Sequence, residues 1–131
     1  MKTIVVIQAR MSSSRLFGKV LLPLGETVML NYVVTRCRQI RQAAEVIVAT
    51  TTSLSDELIV EWCNRQQVRC FRGAEEDVLF RYYECARNYQ ADYIVRVTAD
   101  CPFVDYDMAN EIVELMNRRP CDMVRIVDEL K

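Results

Sequence analysis

Short runs of β-forming apolar residues alternate along this chain with stretches of helical periodicity, and that alternation leaves few folds open. Thr3-Ile4-Val5-Val6-Ile7, Glu45-Val46-Ile47-Val48-Ala49, and residues 68–71 and 93–97 each read as a strand. The first two show no polar residue at every second position, so both faces of those strands should be covered. Between the strands, Leu30, Val33, Val34, Cys37 and Ile40 recur at helical spacing over residues 27–42. Ser55 is the expected N-cap of a helix carrying Leu58, Ile59, Trp62 and Cys63, with Asp56 and Glu57 at its positive end. The segment from Arg72 to Asp77 reads as a loop before a helix with Leu79, Tyr82, Tyr83, Ala86 and Tyr89. Asp105 or Asp107 should cap a last helix to residue 117, and residues 123–127 read as a fifth strand.

Strands alternating with helices imply a three-layer α/β fold with a mostly parallel sheet. Right-handed crossovers put helices on both faces when the strand order reverses. A reversal after the third strand gives the order 3-2-1-4, so the first and fourth strands are neighbours and their exit loops flank one crevice. A single domain over residues 1–131 follows from the length.

The first exit loop carries the chemistry. After the apolar run come Gln8-Ala9-Arg10-Met11, the hydroxyls of Ser12, Ser13 and Ser14, then Arg15, Leu16, Phe17, Gly18 and Lys19. A polar, cationic loop after the first strand of an open α/β sheet is where phosphorylated ligands bind. Arg donates to phosphate oxygens bidentately and Lys as a compact point charge. Residues 1–50 hold seven Lys and Arg against two acids, net +5, whereas the remainder is net −6, for −1 overall. No long basic stripe or aromatic-interleaved basic patch accompanies the loop, so a small polyanion suits it better than a nucleic acid.

Several chemistries are excluded. The chain has no histidine, which removes Ser-His and Cys-His nucleophile systems. Its six cysteines form no C-x-x-C pair, so a paired zinc site is not expected. Cys37, Cys63 and Cys85 fall on apolar helix faces and read as reduced hydrophobes of a cytoplasmic protein. No apolar run reaches membrane-spanning length. Neither G-x-G-x-x-G nor a P-loop is present, because Val20 follows Gly18-Lys19. What remains is chemistry of positioning and charge stabilisation, as in phosphoryl or nucleotidyl transfer. Asp100, in the turn Thr98-Ala99-Asp100-Cys101-Pro102 after the fourth strand, is placed either to hold Mg²⁺ or to bond its own turn. Glu75, Glu76 and Asp77 read as a helix start, and Thr50 as a residue at the mouth of the second strand.

Four blocks in this order carry a resemblance: Gln8-Ala9-Arg10-Met11-x-Ser13-x-Arg15-Leu16-x-Gly18-Lys19-Val20-Leu21; Val48-Ala49-Thr50-Thr51; Arg72-Gly73-x-Glu75-x-Asp77-Val78-Leu79-x-Arg81-Tyr82-Tyr83; and Arg96-Val97-Thr98-x-Asp100-Cys101-Pro102. Together they resemble the cytidylyltransferases of spore coat polysaccharide biosynthesis, relatives of the acylneuraminate (CMP-sialic acid) synthetases. The resemblance implies a Rossmann-like fold of the nucleotide-diphospho-sugar transferase type and transfer of CMP from CTP to a sugar, releasing pyrophosphate with Mg²⁺. It implies that Arg10, Arg15 and Lys19 hold the triphosphate, that Gln8, Ala9 and Thr50 face the cytosine, and that Asp100 holds the metal. Ser12, Ser14 and Thr98 join the nucleotide-binding set, and a homodimer is expected. Phe17 replaces the usual proline of this family, and Phe80 a common acidic residue. Family members continue beyond the fifth strand, where the acceptor-sugar pocket and a second metal carboxylate lie. This chain is therefore expected to be the N-terminal part of that fold, with a cleft that positions an acceptor poorly. A nucleotide-binding module without catalysis is the alternative. A glycosyltransferase of similar fold is disfavoured, since Asp105-x-Asp107 is the nearest aspartate pair and sits at a helix start.

Overall fold

The computed structural model describes residues 2–12 and 16–123. Strand β1 (Thr3–Gln8) is followed by a short antiparallel hairpin, β2 (Pro23–Leu24) and β3 (Thr27–Val28), and by helix α1 (Met29–Cys37). Then come β4 (Glu45–Thr51), α2 (Glu57–Gln66), β5 (Arg69–Gly73), α3 (Val78–Asn88), β6 (Tyr93–Thr98) and α4 (Tyr106–Arg118). The large sheet is parallel throughout, in the order β5-β4-β1-β6. That is the expected 3-2-1-4 arrangement of the four long strands.

The sheet divides the core into two layers. On one face, Val5, Ile7 and Val48 pack with Leu30, Val33 and Val34 of α1, Ile59, Trp62 and Cys63 of α2, and Ala109 of α4. On the other, Ile4, Val6, Ile47 and Ala49 pack with Tyr82 and Cys85 of α3. Two crossovers thus lie on one side and the third on the opposite side, which is the consequence of reversing strand order under a fixed crossover hand. β1 sits between two strands and two helical layers, and this is why Thr3–Ile7 are all buried. Burying its four Ile and Val side chains contributes about 1.5–3 kcal/mol each.

Several local expectations are corrected. The helix expected over residues 27–42 begins only at Met29, because Gly25, at φ 67°, turns Pro23–Leu24 back onto Thr27–Val28. It ends at Cys37, and Ile40 reaches the core from tight turns beyond the helix. Ser55 does not cap α2: its hydroxyl pairs with that of Ser53 at 3.1 Å, within a 3-10 turn over Leu54–Asp56. Leu58 points outward, 49% exposed. The third strand runs to Gly73, so Arg72 and Gly73 belong to the sheet and not to the loop. Asp77 does cap α3, accepting from Phe80 N at 2.9 Å, and Asp105 caps α4, accepting from Met108 N at 3.0 Å. Beyond Met123, the proposed fifth strand lies outside the described residues. Among the described residues no helix is long and apolar enough to cross a membrane.

Cys37, Cys63 and Cys85 are buried as expected. Burial pushes the Cys37 and Cys85 thiols from the usual 9.0 up to about 12. The folded state therefore retains these protons at pH values where the unfolded chain releases them. The stability they contribute is complete below the unfolded value and is lost as pH rises from 9.0 toward about 12. Urea midpoints measured from pH about 8 to 11 should fall, and fall less steeply in a Cys37→Ala, Cys85→Ala double variant. Parallel slopes in the two proteins would contradict this.

Candidate functional site

β1 ends at Gln8, which is in register with Ala49 of β4 on one side and Thr98 of β6 on the other. The backbone continues the row: Ala9 N donates to Ala49 O at 3.0 Å, and Ala99 N donates to Gln8 O at 2.9 Å. Neighbouring strands in such a row lie about 4.8 Å apart. The chain leaving β1 therefore enters the crevice between the exits of β4 and β6, where strand order reverses and open α/β sheets receive ligands.

Arg10 is exposed at this point and Met11 is buried. Gly18 N donates to Met11 O at 2.7 Å, which closes the intervening loop at its base and returns Lys19, half-buried, beside the end of β1. The closure needs glycine. Gly18 adopts φ 74°, and a Cβ there would stand 3.1 Å from Met11 Cε. Across the crevice, Thr98 is exposed at the end of β6, and Asp100 is exposed on a turn closed by Cys101 N donating to Thr98 O at 3.2 Å. Gln8, Ala9, Arg10, Lys19, Thr98 and Asp100 are thus gathered at one end of the sheet. Ser12 is exposed in the same loop. Thr50 is at the same level, but it is fully buried and its Oγ1 has no partner among the described residues. Ser14 and Arg15 lie outside the described residues.

Buried polar side chains tie the three exits together. Asp56, 2% exposed, accepts from Met11 N at 2.7 Å through Oδ1 and from the Thr51 hydroxyl through Oδ2. One carboxylate so links the β1 loop to the end of β4. Arg72 of β5 donates from Nε to Thr51 O and from Nη2 to Ser53 O, both at 2.8 Å. Arg81 of α3 donates from Nη1 to Ala74 O at 2.6 Å. Tyr82 donates its hydroxyl to Gln8 Oε1 at 3.1 Å, and the Arg96 guanidinium lies 4.7 Å from the centre of the Tyr82 ring. Burial pulls the Arg81 pKa down, and nearby Arg10 adds to that while Tyr82 and Asp56 oppose it.

Asp56, Arg72 and Arg81 escaped the sequence reading as site residues. In sequence, Asp56 reads as a charge at a helix start, and neither arginine carries a role of its own. A Thr-x-x-x-x-Asp spacing at a strand exit was a signal available for the first. Nothing in the sequence announced that the arginines bond backbone carbonyls.

The arrangement is cationic at the crevice, with exposed Asp100 on the opposite lip. Among the described residues no three His, Cys, Asp or Glu side chains come together into a metal cage. Asp105, at the helix start, serves α4 as its cap through Oδ1. The site can bind and orient a polyanion.

Removing the Asp56 carboxylate leaves the buried Met11 N–H and the Thr51 hydroxyl without their partner. Asp56→Ala should destabilise the fold by about 1–3 kcal/mol, and Asp56→Asn by less, because it keeps an acceptor for Met11 N. Chemical denaturation measures both, and an Asp56→Ala loss below about 0.5 kcal/mol would contradict the tie.

Comparison with known proteins agrees with this geometry. The cytidylyltransferase family model matches residues 4–131. The chain is 37% identical over 113 residues to the spore coat polysaccharide biosynthesis protein SpsF of Bacillus subtilis, covering 83% of this chain and 47% of that protein. A cytidylyltransferase from Leptospira borgpetersenii superposes with a TM-score of 0.86 at 37% identity, over 92% of this chain and 50% of that one. A CMP:2-keto-3-deoxy-manno-octonic acid synthetase complexed with CTP superposes with a TM-score of 0.78 at 26% identity, over 92% of this chain and 49% of that one. The chain spans about half the length of the curated relatives it matches. With a parallel 3-2-1-4 sheet, a glycine-closed cationic loop and a family match over nearly every residue, the chain belongs to the cytidylyltransferase family.

Proposed function

We propose that this chain supplies the nucleotide-binding part of an enzyme that transfers CMP from CTP to a sugar and releases pyrophosphate. The observation that carries the reading is the convergence of the Arg10–Lys19 loop and the Thr98–Asp100 turn on one crevice, fixed by the register of β1 with β6. In support, a structural relative at 26% identity is a sugar-acid synthetase complexed with CTP. The acceptor class we favour is an acidic sugar of the acylneuraminate or 3-deoxy-manno-octulosonate kind, destined for a surface or spore-coat polysaccharide. The expected homodimer and cytoplasmic site of action belong to the same proposal.

In this reading Arg10 and Lys19, with Arg15, hold the triphosphate. They neutralise the charge that grows on the leaving pyrophosphate as the acceptor oxygen bonds to the α-phosphorus. Backbone at Gln8 and Ala9 faces the base, with the fully buried Thr50 behind it, and Ser12, Ser14 and Thr98 complete the nucleotide contacts. A magnesium ion fits the donor set: it favours one or two protein carboxylates plus phosphate oxygens and water, and exposed Asp100 offers one such carboxylate. When bound, the ion would supply further neutralisation of phosphate charge. A second reading is a nucleotide-binding module that does not itself catalyse transfer.

Isothermal titration of the chain with CTP, UTP and ATP, with and without Mg²⁺, tests both. Selective, Mg²⁺-dependent binding of CTP is expected. Arg10→Ala, Lys19→Ala and Asp100→Ala should each weaken it about tenfold or more, the loss of one charge-assisted contact. Unchanged affinity in all three variants would end the proposal. Pyrophosphate release with an acidic-sugar acceptor separates the enzyme from the module.

A further inference from the structure

Arg81 is a costly residue for the fold alone. It is the bulkiest of the fully buried side chains, 1% exposed, and it forms no ion pair among the described residues. Nη1 donates to the carbonyls of Ala74 at 2.6 Å and Glu75 at 3.4 Å. Nη2 is buried with no hydrogen-bond partner. A guanidinium removed from water without a carboxylate loses hydration that nothing replaces, and an apolar side chain of similar volume would fill the same space without that loss.

Its place explains what the charge is for. Arg81 Cγ packs so closely on Gly73 that a Cβ there would stand 2.9 Å away, which locks the end of β5 onto α3. The next residue, Tyr82, bonds Gln8 at the end of β1. Arg10 and Asp56 are near enough to act on Arg81 electrostatically, and Asp56 is bonded to Met11, the neighbour of Arg10. Arg10 after β1 and Arg81 beside the turn after β5 therefore stand on either side of the β4 exit, with Asp56, already engaged by Met11 and Thr51, as the carboxylate that opposes them. The buried charge of Arg81 and the exposed charge of Arg10 both favour an arriving anion.

We propose that Arg81 is a positioning residue for the triphosphate: its unneutralised buried charge, set by its packing on Gly73, strengthens the pull of the Arg10 loop on a nucleotide's phosphates. This rests on the CTP-binding reading above. The stability lost by burying Arg81 is recovered when the ligand binds.

The test compares the wild-type chain with Arg81→Met, which keeps bulk without charge, and Arg81→Lys, which keeps charge. Titration with CTP and with inorganic triphosphate, each with Mg²⁺, is read beside the thermal midpoint of the unliganded protein. Arg81→Met should bind both probes at least tenfold more weakly while melting no lower than wild type, and Arg81→Lys should bind within about threefold of wild type. Wild-type affinity in Arg81→Met overturns the inference, and so does a tenfold loss in Arg81→Lys. An Arg81→Met protein that melts lower overturns it too, since that marks a structural role. If Arg81→Met does not fold, Arg81→Gln, which keeps a donor for Ala74 O, takes its place under the same criteria. A wild-type chain that binds neither probe overturns the CTP reading itself and this inference with it, a result distinct from wild-type binding that the variants leave unaltered.

Discussion

A single buried carboxylate, Asp56, is the interaction on which the site depends. It is 2% exposed, and its two oxygens meet one backbone donor of the β1 loop and one hydroxyl of β4. Burying a carboxylate is unfavourable unless it accepts hydrogen bonds, and here each oxygen accepts one from a different chain segment. The result is that the path of the chain after Ala9 is set by the core and not by solvent. Arg10 is held at the crevice by the backbone of the residue that follows it. Arg72 continues the same device, bonding two carbonyls at the exit of β4 from the neighbouring strand. Exit loops that would otherwise wander are thereby joined to the sheet, which is what a site needs if its groups are to be in place before the ligand arrives.

The same crevice shows where the fold gives up stability. Arg81 and Thr50 each keep a buried polar atom without a partner among the described residues. Both sit at the level where β4 and β5 leave the sheet, whereas most of the deeper core is apolar. Among the described residues a third such atom, Thr3 Oγ1, lies at the start of β1, so it is the Thr50 and Arg81 atoms that stand where a ligand completes what folding leaves open.

How much of this was legible in the sequence follows from which interactions are local. The strand order was readable because uninterrupted apolar runs such as Val5–Ile7 demand burial on both faces and crossovers have a fixed hand. The cationic loop was readable because Arg10, Lys19 and the serines are close in sequence. The start of α1 was not, because Gly25 permits a turn that turns residues of helical periodicity into a hairpin. Leu58 was misplaced because the apolar stripe of α2 runs through Ile59, Trp62 and Cys63, and Leu58 lies one residue off it. The ties through Asp56, Arg72 and Arg81 were invisible for a different reason. Each joins a side chain to a backbone group fixed only by tertiary packing, and Asp56 reaches Met11 across 45 residues.

The central claim is that the β1 loop is anchored from beneath, before any ligand binds. Amide hydrogen exchange of the unliganded chain tests this at one atom, the Met11 N–H. The Asp56 tie predicts protection of that amide close to the level of the β1 amides in the sheet, since both open only with the core. Exchange of Met11 at the rate of an exposed loop amide, while β1 remains protected, would contradict the account.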